Sequence, residues 1–592
     1  MTVHHLPQPP SDEELYWYFG PQRRWVLIAT SLAFAFTAAT MFTFALRTPA
    51  LWAFLAVLGL NVVALALSSV NSLRQRRLTR QSHEVLVRAW RPAALPGVDL
   101  YLPTCGEPLP VLDNAYRAVA AVDWPADALT VWILDDADRP EVAALAAAHG
   151  YEYVVRPDRG HLKKAGNLNH ALTLSSGEFI AILDADFAPR PDFLRHLVPY
   201  LSDPAVGIVQ SPQCFDTDGT MSWIQRAAGS AQEWFFRWIQ PSRDASDAAI
   251  CCGSNAVYRR SAIDLAGGFA RLDHSEDLYT GLALHEKGFR TLYVPVLVAK
   301  GTSPDRVTSF VNQQYRWAMG NLHLLGTPVL RRMRAPWRMR LCFYEGIIGY
   351  LTTAVNTFAA PLPPLVMLFR YPDHIRPWHV LPLLAPLWLW HVLLPRVSRT
   401  RWRVEVIRAN VLTSVAAATA FLHTLRGRSA AWVPTGTLGA AARGGMARRV
   451  VAVSLVWLVL SNGAAAAGLA LAVARNGWEP NWGLLLYVLV QLQINVPLVR
   501  DLAAELNPAR DNGTSPRARV GARVGARVRA RVRARVRARV RARVRARVRA
   551  RPGSPSGVLP RRWPETVAAS AVLLLTGLLA SGWVDPMLPW LS

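Results

Sequence analysis

Cysteine is scarce in this chain: the 592 residues include five, with neither the paired spacing of a metal site nor a disulfide framework. We therefore expect the middle of the chain to lie in a reducing compartment. Charged residues make up 18% of the chain, against roughly 25% in a typical soluble protein, whereas 52% of the residues are hydrophobic. This balance excludes a wholly disordered chain and argues against an ordinary soluble enzyme. The N-terminus also lacks the basic-then-apolar layout of a cleaved signal peptide.

Acidic residues are few compared with basic ones, 40 against 66, which gives a net charge of +26. Residues 517–551 contain sixteen arginines and no acid, and removing those sixteen charges from +26 leaves +10. Self-repulsion along this Arg-Val and Arg-Ala repeat favours an extended, solvated linker, with adhesion to anionic lipid headgroups as the alternative. The other basic residues flank apolar stretches, so the charge indicates membrane orientation and no nucleic-acid partner is expected.

Several apolar stretches reach the ~20 residues that a helix needs to cross a bilayer. Two of them, at 26–46 and 51–70, are flanked by arginines on both sides, which predicts a hairpin with both ends in the cytoplasm. Further spans are expected at 341–369, 378–395, 449–473, 482–499 and 566–583. The stretch 404–425 contains Glu405, Arg408, Asn410 and His423, which favours a helix in the headgroup plane over a span.

The interval from about 95 to 335 has a different character. Short apolar runs at 129–134, 152–155, 179–183 and 206–209 alternate with helical patterns such as 140–149 and 166–174. This alternation predicts an α/β domain with a mostly parallel sheet. The predicted order is a cytoplasmic N-terminus at 1–24, a transmembrane hairpin at 25–70, a cytoplasmic α/β domain at 95–335, transmembrane helices at 341–395, an interfacial helix and loop at 396–448, transmembrane helices at 449–499, a cytoplasmic Arg-rich linker at 500–564 and a C-terminal transmembrane helix at 565–584.

Two of the predicted strands end in carboxylates. Asp135 and Asp136 follow one apolar run, and Asp184 and Asp186 follow another. Ligands of open α/β sheets bind beyond the carboxyl ends of the strands, so both pairs are expected at one site. Residues at i and i+2 of a strand point the same way, and Asp184 and Asp186 could share one Mg²⁺ or Mn²⁺ ion. The alternative is an acidic turn that caps the next helix.

Eight short motifs follow one another in the order seen in one family. They are Thr104-Cys105-Gly106-Glu107-Pro108, Asp135-Asp136, Lys164-Ala165-Gly166-Asn167-Leu168-Asn169, Asp184-Ala185-Asp186, Gln210-Ser211-Pro212-Gln213, Cys252-Gly253-Ser254-Asn255, Ser275-Glu276-Asp277 and Gln313-x-x-Arg316-Trp317. Each motif is weak alone, but the ordered set is specific. The chain resembles the processive, membrane-integrated family-2 glycosyltransferases of the bacterial cellulose synthase type, over about residues 15–500. The resemblance implies a GT-A-type α/β nucleotide-sugar domain inserted into a multi-span helical membrane domain.

The resemblance also implies roles for these residues. The donor-binding set is Thr104, Glu107, Asp135, Asp136, Lys164, Asp184 and Arg316; the metal ligands are Asp184 and Asp186; the acceptor-binding set is Cys252, Gly253, Gln313 and Trp317. A departing diphosphate accumulates negative charge, which a divalent cation and cationic side chains stabilise. Asp277, next to Glu276, matches the general base that takes the proton of the acceptor hydroxyl.

Simpler structural roles exist for two of these motifs. Ser275-Glu276-Asp277 has the composition of a helix N-cap with acids in the first turn, a role compatible with catalysis. Trp317 is expected to stack on the acceptor sugar, and the alternative is an anchor at the membrane interface.

Three features outside the α/β domain are less decisive. The segment around Trp432 and Thr435 stands where cellulose synthases carry a gating loop, but its spacing is altered and the family lysine is absent. Polar residues within the spans could line a path for a polymer or bond one helix to another; they are Glu345, Asn356, Asn462, Gln491, Gln493 and Asn495, with Trp388, Trp390 and Trp457 as stacking surfaces. No cyclic di-GMP-binding domain is recognisable.

The expected function is inverting transfer of glucose from UDP-glucose to a growing β-glucan, β-1,4-linked and cellulose-like, which is then secreted. The alternatives are another β-linked polymer made from UDP-N-acetylglucosamine, a single transfer to a lipid acceptor, and a non-enzymatic exporter or scaffold. The expected partners are the UDP-sugar, the glucan, the lipid bilayer and cell-envelope assembly proteins. The expected location is the plasma membrane, with the catalytic domain in the cytoplasm.

Overall fold

The computed structural model describes residues 6–19, 23–72, 78–398, 405–430 and 445–507. The loop around Trp432 and Thr435, the Arg-rich repeat and the predicted C-terminal helix lie outside the described residues. Residues up to Leu502 belong to one unit, which combines an α/β domain with long apolar helices.

A seven-stranded sheet forms the centre of the α/β domain, in the order β3-β2-β1-β4-β8-β6-β9. The strands are β1 (Val98–Thr104), β2 (Leu129–Asp135), β3 (Glu152–Val154), β4 (Phe179–Ile182), β5 (Phe187–Pro189), β6 (Val206–Gln210), β7 (Cys214–Phe215), β8 (Ala256–Arg259), β9 (Arg290–Tyr293) and β10 (Ala299–Gly301). Within this sheet β8 alone runs opposite to the others, because it pairs antiparallel with both β4 and β6. The mostly parallel sheet is therefore confirmed. β5, β10 and β7 form a second, small sheet.

Two strands of the large sheet are buried along their whole length. Every residue of β4 and β6 is buried, as expected where helices cover both faces of a sheet. Such strands are continuous apolar runs, which is why the sequence predicts β4 and β6. Strands β2 and β3, which the sequence also predicts, are only partly buried. The strands β5, β7 and β10 have only two or three residues each and carry no comparable pattern.

Helices make up the rest of the described chain. In chain order they are α1 (Arg23–Leu46), α2 (Trp52–Ser72), α3 (Arg80–Ala89), α4 (Leu109–Ala120), α5 (Pro140–Ala148), α6 (Lys163–Leu172), α7 (Phe193–Leu197), α8 (Trp223–Trp234), α9 (Gln240–Asp244), α10 (Arg260–Ala266), α11 (Glu276–Glu286), α12 (Val307–Gly326), α13 (Val329–Arg332), α14 (Trp337–Ala359), α15 (Leu362–Arg370), α16 (Leu381–Trp388), α17 (Leu394–Val397), α18 (Glu405–Leu425), α19 (Gly445–Asn476) and α20 (Trp482–Leu506).

Seven helical segments in the described part of the chain are long and apolar enough to cross a membrane. They are Trp25–Leu46, Pro49–Ser72, Trp337–Arg370, Pro377–Val397, Glu405–Leu425, Gly445–Asn476 and Glu479–Leu506. Six of them match the spans predicted within these residues, so the multi-span helical part of the fold is confirmed. The seventh is α18, for which the sequence favours an interfacial position.

Helix α18 is in contact with the α/β domain along its length. Its first residue, Glu405, forms an ion pair with Arg226 of α8 at 2.7 Å. Further along, Thr413 donates a hydrogen bond to Gln314 of α12, and Tyr315 and His423 are hydrogen-bonded at 2.7 Å. These contacts favour a helix that lies against the domain, and its position relative to the bilayer stays a prediction.

The polar residues of the spans bond to neighbouring helices. Asn356 of α14 exchanges two side-chain hydrogen bonds with Asn61 of α2, at 2.8 and 2.9 Å. Glu345 of α14 accepts from Asn71 of α2 at 2.6 Å. The amide of Asn495 donates to Asn462 and Gln491. The structure thus supports the helix-bonding interpretation of Glu345, Asn356, Asn462 and Asn495, whereas the bond of Gln491 to Asn495 lies within α20.

Candidate active site

A cavity of about 270 Å³ opens at the carboxyl ends of β1, β2 and β4. Twelve of the fourteen site residues expected from the sequence line this cavity. They are Thr104, Glu107, Asp136, Lys164, Asp184, Asp186, Cys252, Glu276, Asp277, Gln313, Arg316 and Trp317. The structure therefore brings together acids, cations and an indole from segments spread over more than 200 residues of the sequence.

Asp184 and Asp186 lie two and four residues after the end of β4 and line the cavity. Lys164 Nζ lies 2.5 Å from Asp184 Oδ1, and Thr302 Oγ1 donates to Asp186 Oδ2 at 2.8 Å. Burial and then the negative charge of Asp184 raise the pKa of Asp186 to about 7. A negative charge on Asp186 so close to Asp184 is costly unless a cation neutralises it.

The chemistry of this carboxylate pair fits a hard divalent cation. Mg²⁺ is commonly held by one or two carboxylates together with water and substrate phosphates. No group of three or more histidine, cysteine, aspartate or glutamate residues among the described residues could hold an ion alone. Asp184 and Asp186 would thus supply part of a coordination shell that the phosphates of a donor complete.

Asp277 lies in the first turn of α11, directly after Ser275 and Glu276. Its Oδ1 accepts the backbone N–H of Leu278 at 2.8 Å. Burial and then the charge of Glu276 raise the pKa of Asp277 to about 7. Ser275 precedes the helix with φ of 56° and its side chain makes no capping hydrogen bond, so the expected side-chain N-cap is not formed.

Gly253 is not part of the cavity wall as described, but it contacts two residues that are. Its carbonyl oxygen accepts from Lys164 Nζ at 2.7 Å. A Cβ at this position would lie 3.0 Å from Asp277 Oδ2, and the backbone φ of +74° is one that glycine adopts without strain. Gly253 thus lets the chain pass close to Asp277, whereas the adjacent Cys252 reaches the cavity.

Helix α12 supplies Gln313, Arg316 and Trp317 to the cavity. Burial lowers the pKa of the Arg316 guanidinium, and Glu276 and Asp184 oppose this effect. The side chain of Gln313 is buried, and its Oε1 has no hydrogen-bond partner among the described residues. An unpaired buried acceptor is costly, so a ligand hydroxyl is a suitable donor to it.

The cavity wall also contains Thr104, Glu107 and Asp136. Glu107 Oε2 accepts from Thr104 Oγ1 and from the backbone N–H of Cys105, at 2.5 and 2.7 Å. Asp136 accepts two hydrogen bonds from the buried Arg156, at 2.8 and 3.0 Å. These bonds fix the carboxylates before any ligand binds.

Asp135, which the sequence also assigns to the donor-binding set, lies apart from the cavity wall. It is fully buried at the end of β2 and is absent from the cavity wall. Its carboxylate accepts the backbone N–H groups of Ala137 and Arg139 and the hydroxyl of Tyr153. Because successive residues of an extended chain point to opposite sides, Asp136, directly after β2, faces the cavity, whereas Asp135 holds the turn beneath it.

Comparisons with known proteins agree with this geometry. Residues 179–467 match the family described as glycosyl transferase family group 2. The matched region is just under half of the chain, and it is similar to family-2 glycosyltransferases. The expected GT-A-type domain inserted among membrane helices is thereby confirmed.

Two curated relatives and one solved structure illustrate the similarity. Cellulose synthase 2 of Novacetimonas hansenii is 35% identical over 283 residues, which are 46% of this chain and 17% of the relative. The UDP-forming cellulose synthase catalytic subunit of Xanthomonas axonopodis pv. citri is 34% identical over 261 residues, 43% of this chain and 36% of the relative. Mannosyltransferase PcManGT from Pyrobaculum calidifontis, solved with GDP-Man and Mn²⁺, is 19% identical with a TM-score of 0.42, covering 61% of this chain and 99% of that one.

Sequence reasoning missed several residues around the site of the glycosyltransferase domain. Thr302, Ser303, Pro304 and Asp305, between β10 and α12, line the cavity, as does His274. Arg139 donates to Thr104 Oγ1 and to the Glu107 carbonyl oxygen. No periodicity marks these loop positions. The one sequence signal for the residues at 302–305 is that they form a short polar segment just before α12, the helix of Gln313.

Proposed function

We propose that this protein is a membrane-bound, processive, inverting glycosyltransferase that extends a β-glucan from UDP-glucose. The observation that carries the proposal is the convergence of Asp184, Asp186, Asp277, Arg316 and Trp317 on one cavity. Similarity to UDP-forming cellulose synthases supports the donor and the product. The matched region spans at most about two fifths of the relatives' length given above, so the full activity is a proposal for this chain.

Asp277 is proposed to accept the proton of the acceptor hydroxyl. The hydroxyl oxygen then forms a bond to the anomeric carbon, while the bond from that carbon to the diphosphate oxygen breaks and its electron pair leaves with UDP. Attack opposite to the leaving group inverts the configuration. A carboxylate with a raised pKa suits a base that works near neutral pH.

Cationic groups are proposed to stabilise the leaving diphosphate. Arg316 presents a rigid fork of N–H donors that matches phosphate oxygens. Lys164 is already held between Asp184 and the Gly253 carbonyl oxygen. Asp184 and Asp186 would hold a Mg²⁺ or Mn²⁺ ion, which supplies Lewis-acid stabilisation of the phosphate charge. Thr104, Glu107 and Asp136 would contact the nucleotide.

The acceptor end is proposed to lie at Trp317, Gln313 and Cys252. An indole provides a flat apolar surface for the C–H face of a pyranose, and Gln313 Oε1 is available to a sugar hydroxyl. A held chain end that is extended repeatedly gives a polymer, and the adjoining apolar helices are the proposed exit. The basic loops between the spans support a cytoplasmic position for the domain.

Labelled-donor assays on membranes test this function. We expect UDP-glucose with Mg²⁺ or Mn²⁺ to give a polymer that a β-1,4-specific glucanase digests, and Asp277→Asn to give none. A polymer from UDP-N-acetylglucosamine alone would assign a different sugar. Short glycolipid products alone would contradict processivity, and glucan binding without any transfer would indicate an exporter or scaffold.

A further inference from the structure

Ten residues that run from the end of α13 into the first turn of α14 carry an unusual charge. Residues 331–340 contain five arginines and no acid. Four of the five are exposed, and no acidic group in the described part of the chain forms an ion pair with them. We call these four the arginine patch: Arg331, Arg332, Arg334 and Arg338.

The arginine patch is located where a helix suited to a membrane begins. The 34-residue apolar segment starts at Trp337, whose surface is 64% exposed. The guanidinium of Arg338 lies over the Trp337 ring, 5.5 Å from its centroid. Tryptophan with arginine at the end of a span is typical of the headgroup layer.

The apolar residues interleaved with the patch contact the catalytic domain. Leu330 and Met333 are buried in one cluster with Leu278 and Leu282 of α11. Helix α11 carries Glu276 and Asp277 in its first turn. The segment therefore presents arginines to the outside and packs its inner side against the helix that holds the proposed base.

We propose that the arginine patch binds the phosphates of anionic phospholipid headgroups, and that the bound lipid steadies α11 through Leu330 and Met333. Guanidinium groups suit this ligand because their paired N–H donors match phosphate oxygens. The position at the start of a span favours a lipid over an acidic soluble protein. The lipid site is independent of which sugar the domain transfers.

The test compares two triple variants of the full-length protein. Arg331→Gln with Arg332→Gln and Arg334→Gln removes three charges from the patch. Arg370→Gln with Arg376→Gln and Arg475→Gln removes three exposed arginines elsewhere, and Arg370 ends the same apolar segment that Trp337 begins. Native mass spectrometry counts phosphatidylglycerol retained by each purified protein, with phosphatidylcholine as the neutral lipid.

We expect the patch variant to bind phosphatidylglycerol on the order of a hundredfold more weakly than the wild type, and the control variant to be unchanged. Turnover in vesicles should rise with phosphatidylglycerol for the wild type and control only. Unchanged retention in the patch variant, or equal loss in the control, would overturn the proposal. The proposal would also be overturned if the patch variant retained phosphatidylglycerol but lost the binding of an acidic soluble protein.

Two further measurements apply if the glutamine variant does not fold. Arg331→Lys with Arg332→Lys and Arg334→Lys keeps the three charges, and this variant should retain phosphatidylglycerol. High salt should release the lipid from the wild type, because ions screen exposed charges. Retention that is insensitive to salt would contradict the proposal. These readouts do not depend on sugar transfer, so a failure of the proposed function is seen separately.

Discussion

At the scale of single residues, the cavity combines carboxylates whose surroundings differ. Asp186 and Asp277 have pKa values raised to about 7 by burial and by a neighbouring acid. Asp136, by contrast, forms an ion pair with the buried Arg156. Carboxylates with different surroundings can take different chemical roles within one site.

Replacement of the proposed base is the most direct residue-scale test. Asp277→Asn keeps the shape of the side chain and removes its ability to take a proton. We expect turnover to fall on the order of 10² to 10⁴-fold while UDP binding, measured by calorimetry, is retained. Glu286→Gln, at the other end of the same helix and exposed, is the control. Normal turnover in Asp277→Asn would refute the role of the base.

The raised pKa of Asp277 predicts a pH dependence. Below about pH 7 the carboxyl group is protonated and cannot act as a base. We expect kcat/KM to rise with pH up to about 7, which a pH–rate profile on membranes measures. A profile that is already flat from about pH 5 would contradict this assignment.

The same shifts affect stability in the opposite sense. Between about pH 4 and about pH 7 the folded state binds more protons at Asp186 and Asp277 than the unfolded chain does. The free energy of unfolding should therefore decrease as pH rises through this window. Thermal unfolding in detergent should show the decrease, and Asp186→Asn should reduce it.

At the scale of elements, the site depends on how closely α12 approaches the start of α11. A Cβ on Gly320 of α12 would overlap Ser275 Oγ, just before Glu276 and Asp277. The glycine thereby allows the helix bearing Arg316 and Trp317 to lie beside the helix bearing Asp277. The spacing between these two helices decides whether Asp277, the proposed base, and Trp317, the proposed acceptor contact, share one cavity.

Gly320→Ala is expected to separate these helices slightly. A misplacement of about 1 Å can cost on the order of 10²-fold in rate, so we expect a large loss of turnover. Gly326→Ala changes the same helix where a Cβ would meet nothing within 4 Å, and it serves as the matched control. Equal turnover of the two variants would show that the close approach has no catalytic importance.

At the scale of the whole molecule, the α/β domain and the apolar helices are joined by specific polar contacts. The Arg226–Glu405 pair connects α8 to α18, with both side chains 13% exposed. Tyr315, next to Arg316, bonds both His423 and the backbone N–H of Ala430. Helix α12, which carries Arg316 and Trp317, is therefore joined directly to α18.

Loss of the Arg226–Glu405 pair should destabilise this junction. Glu405→Gln leaves a largely buried guanidinium without its charge partner, and we expect a cost of about 2 kcal/mol, between the values for exposed and buried pairs. Asp373→Asn removes a pair with Arg475 in which the side chains are 51% and 62% exposed, and its cost should be near zero. Thermal unfolding of both variants in the same detergent makes the comparison.

The sequence by itself determined the α/β domain, the apolar helices and most of the predicted residues that line the cavity. These features have local causes: a buried strand needs a run of apolar residues, and a spanning helix needs about twenty. The tertiary structure alone decided that Asp136 and not Asp135 reaches the cavity, that the membrane asparagines pair with each other, and that Thr302 contacts Asp186. The Asn61–Asn356 and Thr302–Asp186 contacts join residues that are 116 or more positions apart in the sequence. No local pattern encodes which partner a side chain meets once the helices and strands pack.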